Sequence, residues 1–255
     1  GLNTQTLTDL VPGDFSGGVI YAIDFSPDGT LLASGGGGSP IIIWNTSTWS
    51  KIITITNHSN DINALKFSPD GSMLVSGSRD QSVLIWDTTN WNEVLKLERN
   101  DVVHSVDFSP NGDILATVSG TQVDIWDTSN WSLIQSLDSG GRYVKSLSFS
   151  QNGQLLVAAN SFYPSDSPTT GIELWYTSDW TKAQTLIGHT SSVYSISISP
   201  DSSLIASSSD DKSLRIWNIS TGEVSTVNSD FEIWSVAFSP DGSKLLSGDC
   251  NGKIL

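Results

Sequence analysis

Cysteine and basic side chains are scarce in this sequence, and each scarcity excludes something. The only cysteine, Cys250, permits no internal disulfide, which removes the disulfide-framework class and leaves the redox compartment unread. Against 27 Asp+Glu stand 12 Lys+Arg, a formal net charge of −15 with a pI near 4.2. A chain this acidic repels phosphate backbones, and no basic patch compensates, so no nucleic-acid partner is expected. No apolar run reaches the roughly 18 residues of a membrane span, and Gly1 does not open a signal peptide, so no membrane span is expected. Helical periodicity is missing too.

What the sequence does have is a repeat. Its anchors are Phe25-Ser26-Pro27-Asp28-Gly29, Phe67-Ser68-Pro69-Asp70-Gly71 and Phe108-Ser109-Pro110-Asn111-Gly112. Phe149-Ser150-Gln151-Asn152-Gly153, Ile198-Ser199-Pro200-Asp201-Ser202 and Phe238-Ser239-Pro240-Asp241-Gly242 complete the set. The steps between anchors are 42, 41, 41, 49 and 40 residues. The long step holds an insertion, Ser161-Phe162-Tyr163-Pro164-Ser165-Asp166-Ser167-Pro168, which reads as an extended loop. Ser-Pro-Asp-Gly is turn chemistry: Pro presets φ, Asp tolerates the turn, and Gly takes the positive-φ position. In one unit the turn joins Ile62–Phe67 to Met73–Ser76; Val83–Trp86 and Glu93–Leu97 follow. Four short strands per roughly 42 residues cannot cover their own faces, so the units must pack on one another. The expected class is all-β: a β-propeller of four-stranded antiparallel blades.

The sequence resembles the WD40-repeat β-propeller family. The resemblance rests on Trp86-Asp87 and Trp126-Asp127, on the variants Trp44-Asn45, Trp175-Tyr176 and Trp217-Asn218, and on the pairs Gly188-His189 and Asn57-His58. It spans about Val19 to Leu255 and implies a buried tetrad of His, Ser/Thr, Asp and Trp in each well-formed blade. Blade two supplies His58, Ser76, Asp80 and Trp86; blade five supplies His189, Ser207, Asp211 and Trp217. The others depart: Gly38 replaces the Asp in blade one, and Asn251 in blade six. Blade three shortens its loop at Gly120-Thr121, and blade four carries the insertion there.

Six blades are expected in a single propeller over 1–255, with repeats starting near 19, 61, 102, 143, 192 and 232. The last unit stops at Lys253-Ile254-Leu255, two residues before its expected tryptophan, while 4–10 alternate like a lone outer strand. Residues near 4–10 are therefore expected to complete the blade beginning at Glu232. The alternatives are a fragment of a longer array, a seventh blade outside this segment, and one chain completing the last blade of another.

Conventional active-site chemistry is thin. His58 and His189 share one repeat position, which makes them structural, whereas His104 falls outside it. No Ser-His-Asp order or metal-ligand spacing accompanies His104. Gly35-Gly36-Gly37-Gly38 precedes no helix pattern, so it is a loop and not a phosphate cradle. Asp249-Cys250-Asn251-Gly252 lacks the later bidentate Glu of a calcium loop. No catalytic residue, metal or cofactor is expected. Four sequons, beginning at Asn45, Asn57, Asn130 and Asn218, carry little weight in a chain so rich in Asn, Ser and Thr.

Two columns remain. Trp49, Trp91, Trp131 and Trp180 each follow the strand-ending aromatic position by five residues, where blade five has Thr221-Gly222. They form either an aromatic rim for a sugar or partner, or a cover over the turns; repetition at nearly every blade favours the cover. The second column varies. Between constant β-branched and small residues stand Tyr21, Asn63, His104, Lys145, Tyr194 and Trp234. In the family that strand position opens toward the channel mouth, where closure would bring Tyr21, Tyr194 and Trp234 together, with Glu232, Arg79 and Asp210 at the rim. Such a cluster suits protein recognition, and plugging of the channel is the plainer role. The function expected is a non-catalytic platform for protein partners. The alternatives are a carbohydrate-binding propeller using the rim tryptophans and, last, a hydrolase or lyase using His104 and Lys145.

Overall fold

The computed structural model describes residues 19–38, 40–161 and 171–254. The expected blade-closing strand at 4–10 and the insertion from Phe162 onward lie outside the described residues. The chain divides into two compact units, Gly1–Val106 and Asp107–Leu255.

Among the described residues the structure is strand and turn, without a helix. The first antiparallel sheet runs β1 (Ile20–Phe25), β2 (Leu31–Gly36), β3 (Ile41–Asn45), β4 (Lys51–Ile55). The second runs β5 (Ile62–Phe67), β6 (Met73–Ser78), β7 (Ser82–Asp87), β8 (Glu93–Glu98). The third holds β9 (Val103–Phe108), β10 (Ile114–Ser119), β11 (Gln122–Asp127) and β12 (Ser132–Asp138). Next come β13 (Val144–Phe149), β14 (Leu155–Asn160), β15 (Gly171–Tyr176) and β16 (Lys182–Ile187). The fifth comprises β17 (Val193–Ile198), β18 (Leu204–Ser209), β19 (Ser213–Asn218) and β20 (Val224–Asn228). The sixth shows β21 (Ile233–Phe238) and β22 (Leu245–Asp249), and an isolated antiparallel bridge joins Gly248 to Ile254.

The Ser-Pro-Asp-Gly turns explain how each first strand reverses. Ser26 donates from Oγ to Asp28 Oδ1 at 2.6 Å, and the same carboxylate accepts the N–H of Thr30 at 3.0 Å. Ser26 Oγ in turn accepts the N–H of Leu31 at 2.9 Å, and Gly29 closes the turn at φ +70°. These bonds favour the ionised form, so Asp28, Asp70 and Asp201 are held below the ordinary carboxylate value, chiefly by their serines; Asp241 is held at about 2.

Within each unit neighbouring sheets bury their faces against each other, as a meander with two apolar faces requires. In the first unit Ile41 and Ile43 pack with Ile62, Leu65, Phe67, Leu74 and Trp86. In the second unit Val123 and Ile125 pack with Val144, Leu147 and Phe149, and Ile172 and Leu174 pack with Val193, Ile196 and Trp217. Backbone donors at these seams are met from the preceding sheet: Asp24 Oδ2 accepts the N–H of Phe67 at 2.7 Å, and Asp107 Oδ2 that of Phe149 at 2.9 Å. Ser197 Oγ does the same for Phe238 at 3.0 Å.

Candidate functional site

The variable column sits on a structural irregularity. Strand register shifts between Ile20 and Ala22, Ile62 and Ala64, Val144 and Ser146, Val193 and Ser195, and Ile233 and Ser235. The skipped residue in each case is Tyr21, Asn63, Lys145, Tyr194 or Trp234. A β-bulge leaves its extra residue outside the ladder and re-aims its side chain, which frees that position to vary while its neighbours stay fixed.

The residues of this column are used differently. Asn63 donates from Nδ2 to the carbonyl of Val103 at 2.9 Å, fastening one strand start to the next. His104 and Lys145 are half-buried, and each is engaged within the fold. Tyr21, in the first unit, is 51% exposed. In the second unit Tyr194 is half-buried and donates its hydroxyl to Asp210 Oδ1 at 3.4 Å, while Asp210 Oδ2 accepts from Ser191 at 3.0 Å. Burial first, then the charges of Asp210 and Glu232, raise the Tyr194 phenol above its usual value, so it remains a donor. Trp234, on the strand next to that of Tyr194, is 55% exposed. An exposed ring, a fixed phenol and two carboxylates therefore share one edge of the second unit.

His58 and His189 are committed to the interior. His58 Nδ1 lies 2.8 Å from Asp80 Oδ2, and its Nε2 lies 2.7 Å from Ser76 Oγ, which also accepts the indole N–H of Trp86 at 2.9 Å. His189, Asp211, Ser207 and Trp217 repeat those contacts at 2.8, 2.7 and 2.9 Å. An indole can only donate, so each serine donates onward to Nε2, and the neutral imidazole carries its proton on Nδ1 toward the aspartate. The order Ser-His-Asp matches that of a hydrolase triad, but Ser76 and Ser207 are fully buried beneath an indole and offer no nucleophile to a substrate. The first and third sheets keep only the tryptophan half of the network, Trp44 to Ser34 at 2.8 Å and Trp126 to Thr117 at 3.0 Å.

The four turn tryptophans occupy a left-handed conformation, with φ of 57° at Trp49, 60° at Trp91, 59° at Trp131 and 58° at Trp180. Gly222 holds the same place in the fifth sheet at φ 72°. Their backbone N–H groups close the turn on the strand end, as Trp91 does on Asp87 at 2.7 Å. All four are half-buried; Trp49 packs on Leu32, Ile42 and Trp44, Trp91 on the cluster of Phe67 and Trp86, and Trp180 on that of Phe149 and Trp175.

Among the described residues no group of three or more His, Cys, Asp or Glu could hold a metal, and no helix is long and apolar enough to cross a membrane. At Asp249 the carboxylate caps its own turn, accepting the N–H groups of Asn251 and Lys253 at 2.9 Å each.

A hollow that the repeat pattern did not single out lies at the turn end of the third and fourth sheets. Its volume is about 310 Å³, and Ser109, Pro110, Asn111, Ile114, Phe149, Gln151, Asn152, Gly153 and Thr177 line it. The signal in the sequence was the departure from Ser-Pro-Asp-Gly at Asn111, Gln151 and Asn152.

Comparison with known proteins gives a consistent picture. The family model described as WD domain, G-beta repeat matches residues 5–45, 49–87, 91–127, 180–218 and 223–255. The hydrazine synthase of Kuenenia stuttgartiensis is similar in structure, with a TM-score of 0.84 and 19% identity over 98% of this chain and 77% of that one. At that identity the likeness is one of fold. No curated protein matches the sequence. Repeated four-stranded meanders and this likeness identify the architecture as an all-β propeller of about six blades.

Proposed function

The chain belongs to the WD40 family of WD-domain, G-beta repeats, and from that premise we propose that it is a non-catalytic platform for protein partners, recognised through the bulged edge of the second unit. The observation that carries the reading is Trp234, a large ring 55% exposed on an otherwise regular inner strand, beside Tyr194. Rigid aromatic side chains give much contact area for little lost entropy, which is why they anchor interfaces. Asp210 and Glu232 beside the rings, on a chain of net charge −15, favour a partner segment bearing Lys or Arg, which stacks on indole and pairs with carboxylate. Catalysis finds little support: both Ser-His-Asp arrangements are sealed, and the hydrazine synthase resemblance extends to fold alone.

The test compares proteins captured from the source organism by the wild-type chain and by a Tyr194→Ala/Trp234→Ala variant. The reading expects a partner retained by the first and lost with the second, at nearly unchanged melting temperature. A partner held equally by both would refute the assignment of the edge.

A further inference from the structure

The hollow between the third and fourth sheets lies at the opposite end of β13 from Lys145, away from the proposed partner edge. It arises where the repeat relaxes its own rule. Five of the six turns carry Pro at the second position, as Pro27, Pro69, Pro110, Pro200 and Pro240; the fourth carries Gln151. Four turns carry an aspartate, held ionised by its serine; the two flanking the hollow carry Asn111 and Asn152. The turns also stand further apart here. A Cβ on Gly71 would lie 3.5 Å from Pro27 Cδ and one on Gly242 3.3 Å from Pro200 Cδ, but one on Gly153 would lie 3.9 Å from Pro110 Cδ. Residues 128–179, between two stretches that match the family model, contain the divergent turn.

The hollow has a definite chemistry. Ile114 and Phe149 give it an apolar floor; Phe149 belongs to a buried cluster against which both Ile114 and Trp180 pack. Its polar lining carries no charge although the chain is strongly acidic. The carboxamide oxygen of Asn152 is taken by Ser150 at 2.8 Å and by the N–H of Gln154 at 3.0 Å, but its Nδ2 bonds no described residue. Asn111 spends one Nδ2 hydrogen on Asp113 at 2.7 Å and keeps the other. Neither end of the Gln151 amide bonds a described residue, and Thr177 Oγ1, which donates to the carbonyl of Gly153 at 2.6 Å, still has lone pairs to accept. Both donors and acceptors thus line the hollow above an apolar floor. A hydroxyl both donates and accepts, so a ligand with several hydroxyls on one face and C–H groups on the other satisfies both parts. An anion would meet no cation, and a cation would meet no carboxylate among the lining side chains.

We propose that this hollow is a binding site for a neutral monosaccharide, its hydroxyls held by Gln151, Asn152, Asn111 and Thr177 over Phe149 and Ile114. The volume stands at the small end of ligand pockets, roughly 300–1,000 Å³, and fits one sugar ring better than a longer chain. This site is independent of the protein-partner edge.

The experiment is saturation-transfer NMR on the whole chain with glucose, galactose, mannose and N-acetylglucosamine in turn. Two variants serve as controls that restore what sister turns already carry, Gln151→Pro and Asn152→Asp, so folding is preserved by precedent within the same chain. Saturation transfer to at least one sugar, reduced tenfold or more in affinity by each variant, is the expected result. No transfer with any of the four sugars, or transfer unchanged in either variant, would overturn the proposal.

Discussion

His189 accepts a hydrogen bond from Ser207 across 2.7 Å inside the fifth sheet, whereas Ser34, the counterpart of Ser207 in the first, bonds the indole of Trp44 and the Ile42 carbonyl but no imidazole. The same small residue therefore serves an imidazole and an indole in one blade and the indole without an imidazole in the other. Replacing Ser207 with Ala orphans both an indole N–H and an imidazole nitrogen, at about 1–3 kcal/mol for each buried group left unpaired. Ser34→Ala orphans the indole alone. Urea unfolding should thus show Ser207→Ala and Ser76→Ala as distinctly more damaging than Ser34→Ala; equal losses would deny the imidazoles a part in the network.

Acid should destabilise the fold in two stages. Burial, outweighing the pull of Asp80 and Asp211, holds His58 and His189 below the ordinary value of 6.5, so the unfolded chain binds their protons more readily. Stability from these groups is complete above pH 6.5 and falls as the pH drops below it. Asp211 is held at about 2: burial alone would raise it, but hydrogen bonds from Ser213, the Thr190 N–H and His189 more than offset that. Its contribution is complete above 3.8 and disappears as the pH falls toward 2. Melting temperature should decline from near pH 6.5 downward and steepen below pH 4. A His58→Gln/His189→Gln variant, less stable at neutral pH, should show a flatter first stage.

How much of this was legible beforehand depends on whether a feature repeats. The turns and strand-ending tryptophans recur in one register, so the fold and both four-membered networks follow from spacing and family resemblance. The variable column was visible between Ile62 and Ala64, but its cause was not, because a bulge is a pairing irregularity and leaves no residue signature there. That Trp91 sits at positive φ runs against the usual preference of bulky side chains, and only its alignment with Gly222 hinted at it. The hollow leaves no periodic trace because it is built from exceptions: Gln151 for Pro, Asn111 and Asn152 for Asp. Constant positions define the repeat, and the hollow lies where one pair of turns differs from the rest.

The turn tryptophans set strain against packing. A bulky residue at φ 60° costs on the order of 1 kcal/mol in the backbone, and Gly at Trp91 would relieve it. Loss of a half-buried indole from the Phe67–Trp86 cluster costs more, roughly 2–3 kcal/mol when scaled from full burial. Trp91→Gly should therefore destabilise by about 1–2 kcal/mol, and Trp91→Ala, which loses the packing and keeps the strain, by more. Thermal melts giving Ala as the milder replacement would show that the left-handed turn does not govern this position.

Two glycines in one column should respond to the same substitution with opposite sign. Gly77 pairs with Ala64 and Gly248 with Ser235 at corresponding places beside a bulge. A Cβ on Gly77 would stand 2.5 Å from Val103 Cγ1, and the β-branched valine, fully buried, has no room to turn aside. A Cβ on Gly248 would meet no atom of a described residue within 4 Å. Gly77→Ala should cost about 1–3 kcal/mol through overpacking. Gly248→Ala should be neutral or stabilise by about 0.5–1 kcal/mol, since it restricts the unfolded chain at a strand position that alanine adopts without strain. Denaturant midpoints of the two variants separate these outcomes, and a destabilised Gly248→Ala would show that some group closes over β22 in solution.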